Sequence, residues 1–212
     1  MIRRPPRSTL SSSSAASDVY KRQMGECVNV KSLDNRASVF LLIETFRALK
    51  KSRRKPAYDF HGVFTVQEEV GLRGAQASAL EIQPDFSFGL DTTIAFDTPG
   101  SKPQEQCTRL GEGVAIKIMD SSVICDQRMV EFMKATADEK KIEWQPEILR
   151  AGGTDTASLQ RMTPGGSIAG AVSLPTRHIH QVIEMCNKKD VAQAIKLLAA
   201  CLCGLDKHDW QF

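Results

Sequence analysis

Two adjacent carboxylates, Glu68 and Glu69, follow the apolar run Val63–Val66 and precede a turn that contains Gly71. The run has the composition of a β-strand, and open α/β sheets bind their ligands beyond the carboxyl ends of their strands. At such a place one carboxylate can bind a metal while the other moves a proton. The alternative is structural, because acidic residues before a helix also stabilise its dipole. The pair alone leaves both interpretations open.

Further acidic residues and a histidine occur in the same context, at a strand end or in a turn before a helix. Carboxylates with an imidazole and no thiolate suit a hydrolytic zinc, cobalt or manganese site, although each residue could instead be a cap or a turn residue. On extended backbone His178 and His180 face opposite ways, so at most one of them enters a given site. The candidate set is Asp34, Glu68, Glu69, Asp91, Asp155 and His180.

Strand patterns alternate with helical patterns along the chain, which predicts an α/β fold with a sheet covered by helices on both faces. The first helix should bury Val39, Leu42, Ile43, Phe46 and Leu49, with the basic run Lys50–Lys55 as its cap and Pro56 as its end. Predicted helices are Ala37–Lys50, Arg73–Leu80, Gln127–Lys140 and Asp190–Cys203, with one more opened by the turn Ala151–Asp155. Predicted strands are Val63–Val66, Phe86–Leu90, Val114–Met119, Trp144–Leu149 and Ile168–Leu174, the last broken by Pro175.

Composition excludes several classes of protein. Hydrophobic residues make up 42% of the chain and charged residues 25%, which is ordinary for a soluble globular protein. No apolar run approaches the ~20 residues of a membrane span, and aromatic residues are too few for a nucleic-acid stacking platform. None of the six cysteines forms a C-x-x-C pair, and Cys201 and Cys203 should be small core residues. A reducing compartment, the cytoplasm, is therefore expected.

Residues 1–23 form a leader that we expect to be non-native or disordered. The segment is rich in arginine and serine, has no apolar core, and is similar to translated adapter sequence at the start of assembled transcripts; a transit peptide is the alternative. It carries a net charge of +4, so the formal +3 of the chain becomes −1 without it. The apparent basicity therefore indicates no nucleic-acid partner.

Seven motifs after Met24 resemble, in order, the tetrahedral (TET-type) dinuclear metallo-aminopeptidases, a family that includes glutamyl aminopeptidases and proteins once labelled endoglucanases. Each motif is weak alone, but the ordered set is specific. It implies a three-layer α/β sandwich with a mixed sheet, and makes residues 24–212 a partial metallopeptidase catalytic domain. The motifs are Ser32–Arg36, Val63–Ala75, Gly89–Thr93, Asp97–Gly100, Gly113–Asp120, Ala151–Ala157 and Leu174–His180.

The resemblance implies a role for each candidate residue. Asp34 would bridge two divalent metal ions, zinc or cobalt, and Asp91 would bind the first of them. Glu69 and His180 would complete the second site. Glu68 would be the general base for the attacking water, and Asp155 would lie nearby and help to orient substrate.

The chain departs from the family pattern before Asp34. The family carries there an early strand with a histidine ligand of the first metal, and an inserted small β-domain used in twelve-subunit assembly. Here only Met24–Lys31 separates the leader from Asp34, and His61 lies too close to the carboxylate pair to substitute. His178 and Gln181 replace the usual aromatic and small polar residues around the last motif. The second metal site is therefore the more complete one.

The expected function is hydrolysis of N-terminal residues from short peptides by a metal-dependent aminopeptidase. This chain is expected to bind the first metal poorly and to have little or no activity, and homo-oligomer formation is doubtful for it. A related metallo-carboxypeptidase or deacylase is the first alternative, and a non-catalytic metal-binding subunit is the second.

Overall fold

The computed structural model describes residues 22–52 and 57–211. The five helices of these residues are α1 Leu33–Lys51, α2 Arg73–Ile82, α3 Gln127–Glu139, α4 Asp155–Met162 and α5 Lys188–Leu202. The seven strands are β1 Arg22–Met24, β2 Cys27–Val30, β3 Phe86–Ile94, β4 Val114–Met119, β5 Trp144–Ile148, β6 Ile168–Arg177 and β7 Glu184–Asn187. From β3 onwards α3, α4 and α5 follow β4, β5 and β7, in keeping with the predicted alternation, although no α-helix separates β3 from β4 or β6 from β7.

All seven strands belong to one mixed sheet that branches at β6. On one side β6 pairs in parallel with β3 along almost its whole length. On its other side it pairs antiparallel first with β4 and then with β7. The sheet continues from β4 to β5 in parallel, and from β7 through β2 to β1 antiparallel. Within the described residues, β3 has β6 as its only partner strand.

Helices cover both faces of this sheet, and two glycines show how closely they approach it. A Cβ on Gly89 of β3 would lie 1.9 Å from the Thr156 hydroxyl of α4, while a Cβ on Gly170 of β6 would lie 2.5 Å from Met129 of α3. Gly89 pairs with Ala171, so Gly89 and Gly170 point to opposite faces. The predicted α/β sandwich with a mixed sheet is confirmed.

The strand predicted at Val63–Val66 is wrong. These residues pair with no strand in the part of the chain that the structure describes, and Val63, Phe64 and Val66 are exposed. A β-strand needs a neighbour for its backbone groups, and an apolar composition cannot supply one. Val66 instead accepts a hydrogen bond from the backbone N–H of Gly74, and its segment leads into a 3₁₀ turn at Glu68–Val70.

Pro175 does not break β6, which continues to Arg177. It lies between the residues that pair with β4, which end at Ser173, and those that pair with β7, which begin at Thr176. Because β6 changes partner at this point, the missing N–H of the proline removes no ladder hydrogen bond. A proline within a strand pattern therefore marked a change of neighbour.

The packed face of α1 also differs from the prediction. Ala37, Leu41 and Thr45 are buried together with Leu49, whereas Val39 and Ile43 are about 40% exposed. Apolar residues occur around most of this helix, so periodicity alone could not select the face that packs. The basic run reaches the helix end at Lys51, and residues 53–56, including the predicted stop at Pro56, lie outside the described residues.

Other predictions about the core and the leader have mixed outcomes. Cys201 is buried as expected, but Cys203 at the end of α5 is only half-buried. All six cysteines are free thiols. Two residues of the predicted leader, Arg22 and Gln23, form β1 together with Met24. Residues 1–21 lie outside the described residues. The boundary at residue 23 stays a prediction.

Candidate metal centre

Three side chains from distant parts of the chain meet beside the start of α1. His180 Nε2 lies 3.1 Å from Asp34 Oδ2 and 3.4 Å from Glu69 Oε2. One ligand atom from each of the three lies within 4.8 Å of the others. Asp34 is largely buried, while Glu69 and His180 face solvent. The structure thus brings together the residues that the sequence assigns to the second metal.

Each of the three side chains comes from a residue in irregular backbone, which sets the direction in which the side chain points. Asp34 has φ −78° and ψ 103°, so it stands outside the helical geometry of the first turn of α1. Glu69 lies in the 3₁₀ turn, which ends at Gly71 with a φ of 116° that glycine tolerates. His180 follows the end of β6 and has a φ of 64°. The extended backbone assumed for His178 and His180 is therefore wrong, although only His180 joins the cluster.

Asp91 lies on β3, near Asp34, and hydrogen bonds hold its carboxylate. Its Oδ1 accepts from the Nδ2 of Asn35 at 2.9 Å and from the backbone N–H of Thr92 at 2.8 Å. The Asn35 amide also donates to the carbonyl of Leu90. Burial, and then the charges of Asp34 and Glu68, raise the pKa of Asp91 well above its ordinary value. Asp91 therefore lies beside Asn35, the residue after Asp34, and near enough to Asp34 for their charges to interact.

Glu68 and Asp155 form the other side of the centre. Both line a groove between α1, α2 and β3, and Asp155 accepts a hydrogen bond from the Thr65 hydroxyl at 2.6 Å. Burial, followed by the charges of Asp155 and Glu69, raises the pKa of Glu68 to about 7. A carboxylate with its pKa near neutrality can both take up and return a proton, which is what a general base in hydrolysis must do.

The donor set fits divalent cations. Burial first, and then repulsion from Glu69 and Glu184, raises the pKa of Asp34, so the acidic groups destabilise one another without a positive ion. Asn35 Oδ1 and Asp155 Oδ1 are among the buried side-chain oxygens of the described residues that have no hydrogen-bond partner. Two carboxylates with one imidazole are typical ligands of zinc or cobalt. The cluster Asp34, Glu69 and His180 can hold one cation.

Two residues of this centre escaped the sequence analysis. Asn35 holds the Asp91 carboxylate, and its position directly after Asp34 was the only sequence signal for it. Glu184 is 2% exposed and accepts backbone hydrogen bonds from Asp34 and His180. No local pattern distinguishes Glu184, because its contact with Asp34 joins residues 150 positions apart.

Comparison with known proteins identifies the family. The model of the M42 glutamyl aminopeptidases matches residues 14–197, and so begins inside the predicted leader. The chain belongs to the M42 glutamyl aminopeptidase family. A candidate aminopeptidase of Acetivibrio thermocellus is 40% identical over 179 residues, which are 84% of this chain and 52% of that protein. The resemblance drawn from the ordered motifs is confirmed.

Solved structures of M42-like peptidases share the fold. The TET aminopeptidase of a marine-sediment Thaumarchaeota archaeon superposes with a TM-score of 0.84 at 35% identity, over 89% of this chain and 52% of that one. The TET1 peptidase of Pyrococcus horikoshii, which can assemble into a tetrahedron or a large octahedral shell, gives a TM-score of 0.69 at 29% identity over 83% and 50%. This M42 chain spans about half the length of the relatives it matches.

The M42 family is generally metal-dependent, in keeping with the cluster of Asp34, Glu69 and His180. Among the described residues of this M42 chain, none of the helices combines the length and the apolar character needed to cross a bilayer.

Proposed function

We propose that this chain carries the catalytic half of a cytoplasmic metal-dependent aminopeptidase that removes N-terminal residues from short peptides. The observation that supports this most is the meeting of Asp34, Glu69 and His180, which come from three separate motifs of the M42 pattern. Asp34, Glu69 and His180 would hold one zinc or cobalt ion, and Asp34 with Asp91 would contribute to a second. Such cations, when bound, polarise the carbonyl of the substrate peptide bond and lower the pKa of a bound water molecule.

The side chains around the cations have separate tasks. Glu68 takes the proton of the attacking water and returns it to the leaving amine, because its pKa of about 7 suits both transfers. Asp155, held by Thr65, lines the groove beside Glu68 and can orient the peptide. Asn35 fixes the Asp91 carboxylate. The apolar walls of the groove can cover an extended substrate peptide and keep water away from it.

Occupancy of the two cation sites should be unequal. Among the described residues, Asp34 and Asp91 are the candidate ligands for the first cation, whereas Asp34, Glu69 and His180 would hold the second. We therefore expect the full-length chain as given to bind one zinc or cobalt ion tightly and another weakly, and to turn over peptides slowly.

A calorimetric titration with Co²⁺ tests the metal centre. His180→Ala should weaken the tight site by more than the ~10–100-fold typical of outer-shell changes, because it removes a ligand atom. His178→Ala is the matched control, since it lies in the same turn but outside the cluster, and should leave binding unchanged. Equal binding by the two variants would exclude His180 as a ligand.

Turnover of aminoacyl-p-nitroanilides by the Co²⁺-loaded chain tests the chemistry. Glu68→Gln should lower the rate by about 10²–10⁴-fold while Co²⁺ affinity stays within a few-fold, because it removes the proton carrier and keeps the ligands. An undiminished rate in Glu68→Gln excludes Glu68 as the base. Cleavage of N-terminally blocked substrates alone indicates the carboxypeptidase or deacylase alternative.

A further inference from the structure

Glu184 connects two of the proposed metal ligands through their backbones. Its Oε2 accepts the backbone N–H of Asp34 at 2.9 Å, and its Oε1 accepts the backbone N–H of His180 at 3.1 Å. The side chain is 2% exposed at the start of β7. A single buried carboxylate therefore joins the start of α1 to the turn that follows β6.

Both hydrogen bonds end on the backbone of residues whose side chains are proposed ligands. Asp34 and His180 both lie in irregular backbone, with Asp34 outside helical geometry and His180 at a positive φ. Irregular segments of this kind keep one conformation only when neighbouring groups hold them. Hydrogen bonds to an ionised carboxylate are about twice as strong as neutral ones, and two acceptor oxygens are needed to receive both donors.

We propose that Glu184 is a positioning residue of the metal centre: it holds Asp34 and His180 at ligand separation before the cation binds. The proposal rests on the proposed function, because it takes Asp34 and His180 as ligands. The negative charge of Glu184 also lies close enough to act on Asp34. Preorganised ligands lose less conformational freedom when the ion arrives, so Glu184 increases metal affinity without touching the metal.

A purely structural role is the competing explanation, and the chain offers a matched control for it. Asp190 is also a buried carboxylate, 1% exposed, and also accepts two backbone N–H groups, from Gly111 at 2.8 Å and from Gly113 at 2.9 Å. Neither glycine belongs to the metal centre. Glu184→Gln and Asp190→Asn thus make the same chemical change, one beside the ligands and one away from them.

The experiment titrates Co²⁺ into the full-length chain and both variants by calorimetry, and follows thermal unfolding of the metal-free proteins. Both variants should unfold at lower temperature, because each replaces one acceptor oxygen by an NH₂ group that faces a donor. Only Glu184→Gln should lose Co²⁺ affinity, by about 10–100-fold, as is typical when a group that orients a ligand is changed. Unchanged affinity in Glu184→Gln, or an equal loss in Asp190→Asn, overturns the proposal.

Two further measurements keep the outcome decisive. If Glu184→Gln fails to fold, Glu184→Asp replaces it, since the shorter side chain keeps the charge but cannot reach both N–H donors. The Co²⁺ affinity of Glu184→Asp should also fall. Wild-type affinity in this variant would overturn the proposal. The His180→Ala titration separates the two hypotheses. Loss of binding in His180→Ala with wild-type affinity in the Glu184 variants refutes the positioning role alone, whereas a wild-type chain that binds no Co²⁺ refutes both.

Discussion

Lys117 is fully buried on β4 between two carboxylates. Its Nζ lies 2.6 Å from Glu147 Oε1 and 3.1 Å from Asp120 Oδ2, and the Thr93 hydroxyl donates to the same oxygen of Glu147. Burial by itself lowers the pKa of Lys117, but the two carboxylates outweigh it and raise the pKa above its ordinary value. Asp120 also lies 3.3 Å from the hydroxyl of Thr154, the residue before α4. This ion network therefore connects the centre of the sheet to the helix that begins at Asp155.

Lys117→Met should destabilise the fold by about 3–5 kcal/mol, because it leaves two buried carboxylates without their cation. Urea unfolding at neutral pH measures the change. Lys189→Met is the control: Lys189 pairs with Glu143 at the surface, where both side chains are about half exposed, and it should change stability by no more than about 1 kcal/mol. Equal effects of the two substitutions would mean that the buried network adds nothing beyond an exposed ion pair.

At the scale of the elements, contact between β3 and α4 sets the width of the candidate site. A Cβ on Gly89 would lie 1.9 Å from the Thr156 hydroxyl, and Thr156 is fully buried. Gly89 precedes the proposed ligand Asp91 by two residues, while Thr156 directly follows Asp155. The spacing of this strand and helix therefore affects the spacing of Asp91 and Asp155, two carboxylates of the candidate site.

Gly89→Ala should cost about 1–3 kcal/mol, because the added methyl group overpacks the contact and pushes α4 from the sheet. The free energy of unfolding is measured in a double-mutant cycle with Thr156→Ala, which removes the nearest atom and should recover part of the loss. Additive effects of the two substitutions would contradict a direct clash and place the cause of any destabilisation elsewhere.

Element boundaries followed from sequence where the pattern was local. β4 has the predicted bounds Val114–Met119, since its run of buried side chains needs no knowledge of its neighbours. Two predictions were wrong, the strand at Val63–Val66 and the break of β6 at Pro175. Both outcomes depend on which strand lies alongside, and the local sequence does not contain that information. The prediction of the packed face of α1 was wrong because apolar residues occur around most of that helix.

The candidate site was predictable from the order of motifs rather than from spacing. Asp34, Glu69 and His180 are far apart in the chain, and only the resemblance to the M42 pattern placed them together. Asn35 and Glu184 were missed because they act through hydrogen bonds over long sequence separations. Local sequence can predict the residues that carry chemistry, but the residues that hold them depend on the tertiary fold.

At the scale of the whole molecule, a groove of about 670 Å³ lies beside β3, on the edge that pairs with no strand among the described residues, and reaches Glu68 and Asp155. In a parallel pair only alternate residues bond to the neighbour, so half of the backbone groups of β3 face away from β6. The apolar walls of the groove come from several elements and include Val39, Leu42, Phe46, Phe60, Phe86 and Phe88. This surface explains why α1 is apolar on more than its packed face.

An apolar groove of this size should bind a small uncharged dye in the native state. We expect Nile red to bind the folded chain with blue-shifted emission. Ser78→Trp should weaken that binding by about tenfold, or 1.4 kcal/mol, because Ser78 on α2 lines the groove and the indole would fill it. Ala77→Trp adds the same ring at an exposed position of α2 that does not line the groove, and should bind dye as the wild type does.

Equal dye affinity in the two variants would place the binding surface outside the groove. Loss of binding in Ser78→Trp alone would show that the part of the groove beside Ser78 is open in solution.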